Sequence, residues 1–491
     1  MGHVAPVVTM KMVKNIAPVV LALFLGLSAP VQAAEDARSL VEAGKVAEAL
    51  DLARTEAEAA PGDLERQELY IDILLSFGLG PRAERLYRER VRTTPEDADA
   101  WYLVGRSAVG RASAREAYEA ALRLKPTHAR SHMGMAAVHV ASGRLDHAAA
   151  AYAQALKGDD SLSEAWLGLI RTLAGEGQEA AALEAAQHAL KAVPDEAGVY
   201  LALATLAPTQ ARAVLTSGAA RVSGDARLHA RLAEELLAAG EGPQALNSAS
   251  KAVQLDRGLP EALRAKLFAE EMVKDRIDAS GYAGVRAAHA LPPTESLAAW
   301  GELVTAHPRS ALVRAGRARA RELDGNQASA GADLEAALRL DPKNVEVQAA
   351  LGLLRLRSGF PVEATPLLAK AWEARRWDVS LGLALADALT GSGQIAAGQE
   401  MLRGLAETQP FDLRVGQRYA QALLDAGDHE QAYTFARKRL KRVPDPQLGV
   451  ALVAAALATG RTAEAAAIIE DIARQTDNAA LMEAARRLRG G

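Results

Sequence analysis

The sequence of 491 residues contains no cysteine. Disulfides, thiolate nucleophiles and cysteine metal sites are therefore excluded. So is a bacterial lipoprotein anchor, whose lipid is carried on a cysteine. Aromatic residues are scarce, at 4%, which leaves little material for stacking platforms that hold sugars. No sign of charge dominates: 57 Lys and Arg stand against 61 Asp and Glu, for a formal charge of -4. That balance lacks the basic footprint of a nucleic-acid binder. Long hydrophobic runs are missing as well. The one apolar stretch, Ile16 to Leu27, is shorter than the roughly 20 residues a membrane-spanning helix needs.

What is present is length, alanine and a hydrophobic share of 49%, which excludes wholesale disorder. A chain of this length calls for several domains or one elongated array. The N-terminus reads as an address. Lys11 and Lys14 precede the apolar stretch, and Val31-Gln32-Ala33 then gives a small-x-small site, with acidic Glu35 and Asp36 just beyond. Residues 1–33 are expected to be a signal peptide cut at Ala33–Ala34. The mature protein would then be periplasmic, with no integral membrane span.

The rest of the chain repeats. Prolines recur at a spacing of 34, at Pro61 and Pro95, Pro308 and Pro342, Pro410 and Pro444. Twelve residues before this proline slot stands a small residue, as at Ala49, Ala83, Ala114, Ala182, Ala330 and Ala432. Five residues earlier stands a glycine, as at Gly44, Gly78, Gly143, Gly177, Gly240, Gly325, Gly359 and Gly427. A second alanine follows the first after seven residues, at Ala121, Ala155, Ala189, Ala252, Ala337 and Ala371. An aromatic often sits six residues after the proline slot, as at Trp101, Trp166 and Tyr200. Each position has a physical reason. The glycine ends a first helix in the left-handed conformation. The two alanines, two turns apart on one face, let a second helix approach closely. The proline ends that second helix. The aromatic is expected to fill the gap between hairpins.

These residues resemble the tetratricopeptide repeat family, most clearly from Trp101 to Pro126, where Gly105, Ala114, Tyr118 and Ala121 occupy the family's slots. The resemblance covers nearly all of residues 35–477. It implies an all-α, right-handed superhelical solenoid of about 13 helical hairpins. The expected organisation is a signal peptide (1–33), an N-terminal solenoid (34–257), a degenerate unit and hinge (258–308), a C-terminal solenoid (309–477) and a capping helix with tail (478–491). The pattern fails over 258–308, where Pro292-Pro293 interrupts, and Pro208 is expected to join two helices of a short unit.

Motifs of chemistry dissolve into this repeat. Four G-x-G-x-x-A stretches begin at Gly78, Gly175, Gly240 and Gly391, but each falls at the repeat's own turn and follows a helix, whereas a dinucleotide fingerprint follows a strand. His429-Glu430-Gln431-Ala432-Tyr433 has tyrosine where a zinc protease motif needs its second histidine. His128, His132, His139 and His147 read as packing or surface residues. No cofactor, metal or catalytic residue is expected.

In solenoids of this kind binding takes place on the concave face, lined mainly by first helices. Carrying the family's groove positions onto this chain gives Tyr102, Arg106, Leu167, Arg171, Arg227, Arg231, Glu234, Arg319, Arg414 and Arg418 as partner-binding candidates. Asp72, Asp387 and Gln421 share the register of Arg106 and Arg171. Arginine favours fork-like pairing with carboxylates, so the expected partners are other envelope proteins or peptides, bound by a non-catalytic scaffold for export, pilus or polysaccharide-secretion assembly. The alternative is a glycan- or peptidoglycan-binding protein, which the shortage of aromatics disfavours. N-terminal sequencing of the mature protein should begin at Ala34 or within a residue or two; an intact Met1 on cytosolic protein would overturn the assignment of a cleaved leader.

Overall fold

The computed structural model describes residues 37–42, 46–76, 79–410, 412–441, 444–476 and 478–490. The expected signal peptide and its expected cleavage site lie outside them. Every regular element among the described residues is helical. Seven hairpins come first: Ala37–Glu42 with Val46–Ala59, Leu64–Ser76 with Gly80–Thr93, Ala98–Ser107 with Arg111–Leu124, Ala129–Ala141 with Leu145–Gly158, Ser163–Gly175 with Glu179–Ala192, Ala197–Leu206 with Ala211–Arg221, and Ala226–Ala238 with Gly242–Leu255. A single helix, Pro260–Val273, follows. Six more hairpins then run: Ala279–Ala290 with Pro293–Ala306, Ala311–Leu323 with Gln327–Leu340, Val345–Arg357 with Pro361–Ala374, Val379–Gly391 with Ile395–Thr408, Leu413–Asp425 with His429–Leu440, and Pro446–Thr459 with Thr462–Thr476. Ala479–Gly490 closes the array. None of these helices is long and apolar enough to cross a membrane.

Local signals set the helix ends. The turn glycines Gly143, Gly177, Gly240, Gly325, Gly359 and Gly427 all have positive φ, joined by Gly393 and Gly460. First helices start at a polar cap two residues after the proline slot. Asp97, Ser310, Asn344 and Asp412 each accept a backbone N–H of the first turn. Pro208 does join two helices, through a short 3-10 turn over Pro208–Gln210.

The residue six after the proline slot does more than fill a gap. The indole N–H of Trp101 donates to Pro95 O at 2.9 Å and that of Trp166 to Asp160 O at 2.8 Å. Tyr200 does the same to Pro194 O, and so does Gln348 to Pro342 O at 2.7 Å. The shared requirement is therefore a donor that satisfies the turn carbonyl, and aromaticity is optional.

Packing follows the small residues. Ala121, Ala155, Ala189, Ala252, Ala337 and Ala371 are all completely buried. Where a ring must pass between helices, glycine replaces alanine. A Cβ on Gly105 would lie 2.4 Å from the Tyr118 ring, and one on Gly134 would lie 2.4 Å from the same ring. Tyr118 is thus wedged between its own first helix and the next one. Tyr152 fits against Gly168 and Trp300 against Gly316 in the same way.

Residues 258–308 hold three helices in place of two. Their apolar faces share one cluster with both flanking hairpins, running from Ala233 through Phe268, Tyr282 and Trp300 to Ala320. Asp275, with φ of 52°, takes the turn position held elsewhere by glycine. Glu271, almost fully buried, accepts the Ser310 hydroxyl and the N–H groups of Ala311 and Leu312, so it caps a helix 40 residues downstream. Further on, the array curls until Gly80–Thr93 meets Thr462–Thr476, and Arg85 shares a cleft with Asp471, Arg474 and Met482. The closing helix buries Leu481, Ala485 and Leu488, while Arg487 pairs with Glu483 at 3.1 Å.

The glycine notches are testable through the sign of one substitution. Gly168→Ala should lower stability by about 1–3 kcal/mol, because its Cβ overpacks the ring. Gly404→Ala, inside a helix with open space around the new Cβ, should raise it by about 0.5–1 kcal/mol through helix propensity. Thermal melts followed by circular dichroism read both; equal signs would remove the ring wedge as the cause.

Candidate functional site

First helices of neighbouring hairpins lie side by side, and their equivalent positions touch. Arg106 Nη2 donates to Asp72 Oδ1 at 2.5 Å, across a sequence separation of 34. Arg414 Nη1 reaches Ser380 Oγ at 3.1 Å, again 34 residues away, and Arg418 pairs with Asp387. The positions chosen from the repeat register therefore do share one face. Asp72 and Asp387 are not separate features of it. They neutralise arginines one unit further on.

Most of the candidate arginines are spoken for within the chain. Arg227 is tied to its own helix cap, Asp225, at 2.5 Å. Arg231 is held by Glu234 at 3.0 Å and Glu235 at 2.8 Å, so Glu234 is engaged as well. Arg414 also pairs with Asp412 at 2.7 Å. Leu167 packs against the next first helix, its Cδ1 2.9 Å from where a Cβ on Gly198 would stand.

Tyr102 is a correction: it is buried, not part of an open face. Its hydroxyl donates to Glu68, and its ring lies 6.0 Å from Tyr118 and 5.6 Å from His128. Burial, then the adjacent Glu68 carboxylate, pushes its hydroxyl well above the ordinary tyrosine range. The cause is length. The tyrosine hydroxyl reaches across to Glu68 on the preceding first helix.

Two candidates differ from the rest. Arg171 and Arg319 are both exposed. Among the described residues neither has a carboxylate within ion-pair distance. Arg171 Nε donates only to the carbonyl of Leu167, at 3.2 Å. Arg319 borders a cavity of about 360 Å³ together with Arg264, His289 and Trp300.

The register did not reveal two polar clusters. Glu68 accepts Arg130 as well as Tyr102, joining three successive first helices. Asp333, nearly buried, holds Arg317 at 2.6 Å and Arg321 at 2.8 Å. The opposite charges of Asp72 and Arg106 in one register column were the signal for pairing along the face; Arg418, which meets Asp387, stands three residues before that column. For Glu271 or Asp333 no comparable signal exists in the sequence.

The histidines are structural in their contacts. His128 caps Ala129–Ala141: the N–H of Ser131 donates to its Nδ1 at 3.1 Å, which leaves Nε2 to donate to Asp99 at 2.8 Å. His132 Nε2 donates to Pro126 O at 2.8 Å. The rings of His139 and His147 lie 5.4 Å apart. Among the described residues no group of three or more His, Asp or Glu is placed to hold a metal.

The tetratricopeptide repeat family model matches residues 110–163 and 134–197. Residues 110–197 thus carry tetratricopeptide repeats, and the same helical hairpin recurs along the described residues. It is similar to the solved structure of Naa15/Naa10 bound to HypK-THB, at 15% identity, 92% of this chain, 95% of that chain and a TM-score of 0.36. It is similar to yeast Tom70 at 15% identity, 84% of this chain, 96% of that chain and a TM-score of 0.31. It is similar to YrrB, described as a TPR protein with an unusual peptide-binding site, at 16% identity, 48% of this chain, 96% of that chain and a TM-score of 0.27. No curated protein matches.

Burial lowers the pKa of His128 below the usual histidine value, against the opposing pull of Asp99. The folded state therefore prefers the neutral ring. The stability this gives is present above the unfolded-state pKa of about 6.5 and is lost as pH falls through the lower folded value. Asparagine keeps a capping oxygen. His128→Asn should thus flatten the fall of melting temperature below pH of about 6.5; a slope identical to wild type would exclude His128 as its source.

Proposed function

We propose that this protein is a non-catalytic scaffold of the bacterial cell envelope that holds an extended polypeptide segment, carrying acidic and apolar side chains, along its first-helix face. The envelope assignment rests on Lys11, Lys14, the apolar stretch and Val31-Gln32-Ala33. The binding assignment rests on the solenoid architecture, in which function resides on the extended repeat face, and on one observation. Along a face where the other candidate arginines are neutralised from within, Arg171 and Arg319 remain exposed, with no carboxylate of the described residues within ion-pair distance.

An extended segment suits this face better than a compact ligand. Equivalent positions recur once per hairpin, so side chains of a strand-like partner meet the same kind of site at intervals. Each unpaired guanidinium offers a fork for one carboxylate. The hydrophobic neighbours, such as Leu167 beside Arg171, supply contacts between these anchors. Export, pilus or polysaccharide-secretion assembly are the envelope processes in which such a scaffold would serve.

The test is Arg171→Glu combined with Arg319→Glu. Both positions are solvated, so the fold should change in stability by no more than about 0.5 kcal/mol for each. Capture of envelope polypeptides by purified protein should fall, and the difference should shrink at high salt because exposed charges are screened. Undiminished capture by a folded double variant would sink the groove reading.

A further inference from the structure

The solitary helix Pro260–Val273 does more than break the two-helix rhythm. It lies along the inter-hairpin loops of later units, and together they wall an open cleft of about 870 Å³. Residues from 250–274, 341–345 and 373–377 meet there. Arg276 locks the juxtaposition by pairing with Asp341 at 3.1 Å, and Arg375 braces the far wall by pairing with Glu346 at 2.8 Å. The cleft is separate from the first-helix face, since none of the ten groove candidates lines it.

Its charge is unlike that of the chain. Arg257, Lys266, Lys274, Lys343 and Arg376 line it, and among the described residues none has a carboxylate within ion-pair distance. Two further carboxylates, Glu270 and Glu373, face the same space. The whole chain has a formal charge of -4, so this local excess of cations is a focused positive field. Between the charges lie Val253, Leu263 and Leu267, each partly buried, and the exposed indole of Trp377.

We propose that this cleft is a second docking site, and that its occupant is an acidic polypeptide segment whose Glu or Asp side chains flank an aliphatic or aromatic one. An apolar centre with exposed charges around it is the anatomy of a protein interface. Arg257, Lys274, Lys343 and Arg376 are all exposed, which suits steering and register of an oppositely charged partner. A uniformly anionic polymer fits less well, because Glu270 and Glu373 oppose it and it brings nothing to cover Leu263, Leu267 and Trp377. The proposal rests on the scaffold reading for its class of ligand, a polypeptide with acidic and apolar side chains, and differs from it in the site.

The experiment measures binding to the mature full-length protein by fluorescence anisotropy. The probes are labelled synthetic peptides in which Glu content and Leu or Phe content vary independently, with polyglutamate and a sulfated glycan alongside. Peptides rich in both should bind best, in a salt-dependent way. Combining Lys274→Glu, Lys343→Glu and Arg376→Glu should weaken them by roughly tenfold or more, as loss of complementary charge predicts. Trp377→Ala should weaken the peptides that carry Leu or Phe and leave the purely acidic ones alone. Circular dichroism checks that each variant is folded. Several outcomes overturn the proposal: no peptide of the panel binds, the triple variant binds as wild type does, or polyglutamate and the glycan bind as tightly as the mixed peptides. The variant with Arg171→Glu and Arg319→Glu separates the two sites. Binding lost there and kept in the triple variant overturns the cleft while leaving the first-helix face standing.

Discussion

Everything in this solenoid depends on how closely a second helix can approach two first helices at once. Tyr118 shows the constraint at its tightest, its ring held between Gly105 of its own hairpin and Gly134 of the next. A glycine inside a helix costs about 1 kcal/mol relative to alanine. Burying an aromatic ring returns more than that, roughly 1.5–3 kcal/mol. The exchange is favourable only if the ring touches both helices, and that double contact fixes the rotation of one hairpin on the next. The same wedge recurs with Tyr152 at Gly168 and Trp300 at Gly316, while at Gly416 the Arg439 side chain fills the notch. The Arg439 substitution is chemically dearer. Its buried guanidinium needs the Asp412 carbonyl, and desolvation lowers its pKa.

Because stacking is a nearest-neighbour affair, one unpaired helix changes the path of all that follows. Pro260–Val273 is that helix. Its consequences are carried by polar groups that ordinary units do not need. Glu271 supplies a cap to Ala311–Leu323 from outside, and burial raises its pKa despite the three donors it accepts. Arg276 ties the turn after it to Asp341, and Arg309 donates to the Asp275 carbonyl of that same turn. These ties bring residues 250–274 and residues 341–377 into one cleft and accompany a path on which the second hairpin reaches the last.

How much of this was legible depends on whether a residue answers to its own unit or to a distant one. Turn glycines, proline slots and close-packing alanines answer to local geometry; Gly44 and Gly78 lie outside the described residues, and the six other turn glycines named from the spacing take positive φ. Trp101 and Trp166 were half legible: their position was evident, but their task of donating to a turn carbonyl emerges only beside Gln348 and Tyr200, which share it. Tyr102 misled because register gives the direction of a side chain and not its reach. Its hydroxyl extends past the groove position to Glu68 and draws the whole ring under cover. Glu271 and Asp333 were illegible. A carboxylate in a helix reads as surface until the partner helix is in place.

The pairing of charges along the first-helix face also bears on what a partner must do. An exposed pair such as Arg106 with Asp72 or Arg418 with Asp387 contributes only about 0–1 kcal/mol. A partner carboxylate that takes the arginine therefore gains little, because it replaces one exposed pair with another. A partner that inserts between Arg317, Arg321 and Asp333 loses outright, since Asp333 is only 5% exposed and breaking one arm of a buried pair strands a charge. The face is thus electrostatically quiet over most of its length. Net gain from a carboxylate is left to positions where the arginine has no carboxylate to give up, and among the ten candidates these are Arg171 and Arg319. Their separation, with the three-helix unit between them for part of the way, favours a ligand long enough to span several hairpins. On the proposed reading, an apolar or positively charged side chain set against Arg171 or Arg319 would leave a cation unpaired, so these two positions would select the order of charges along the partner.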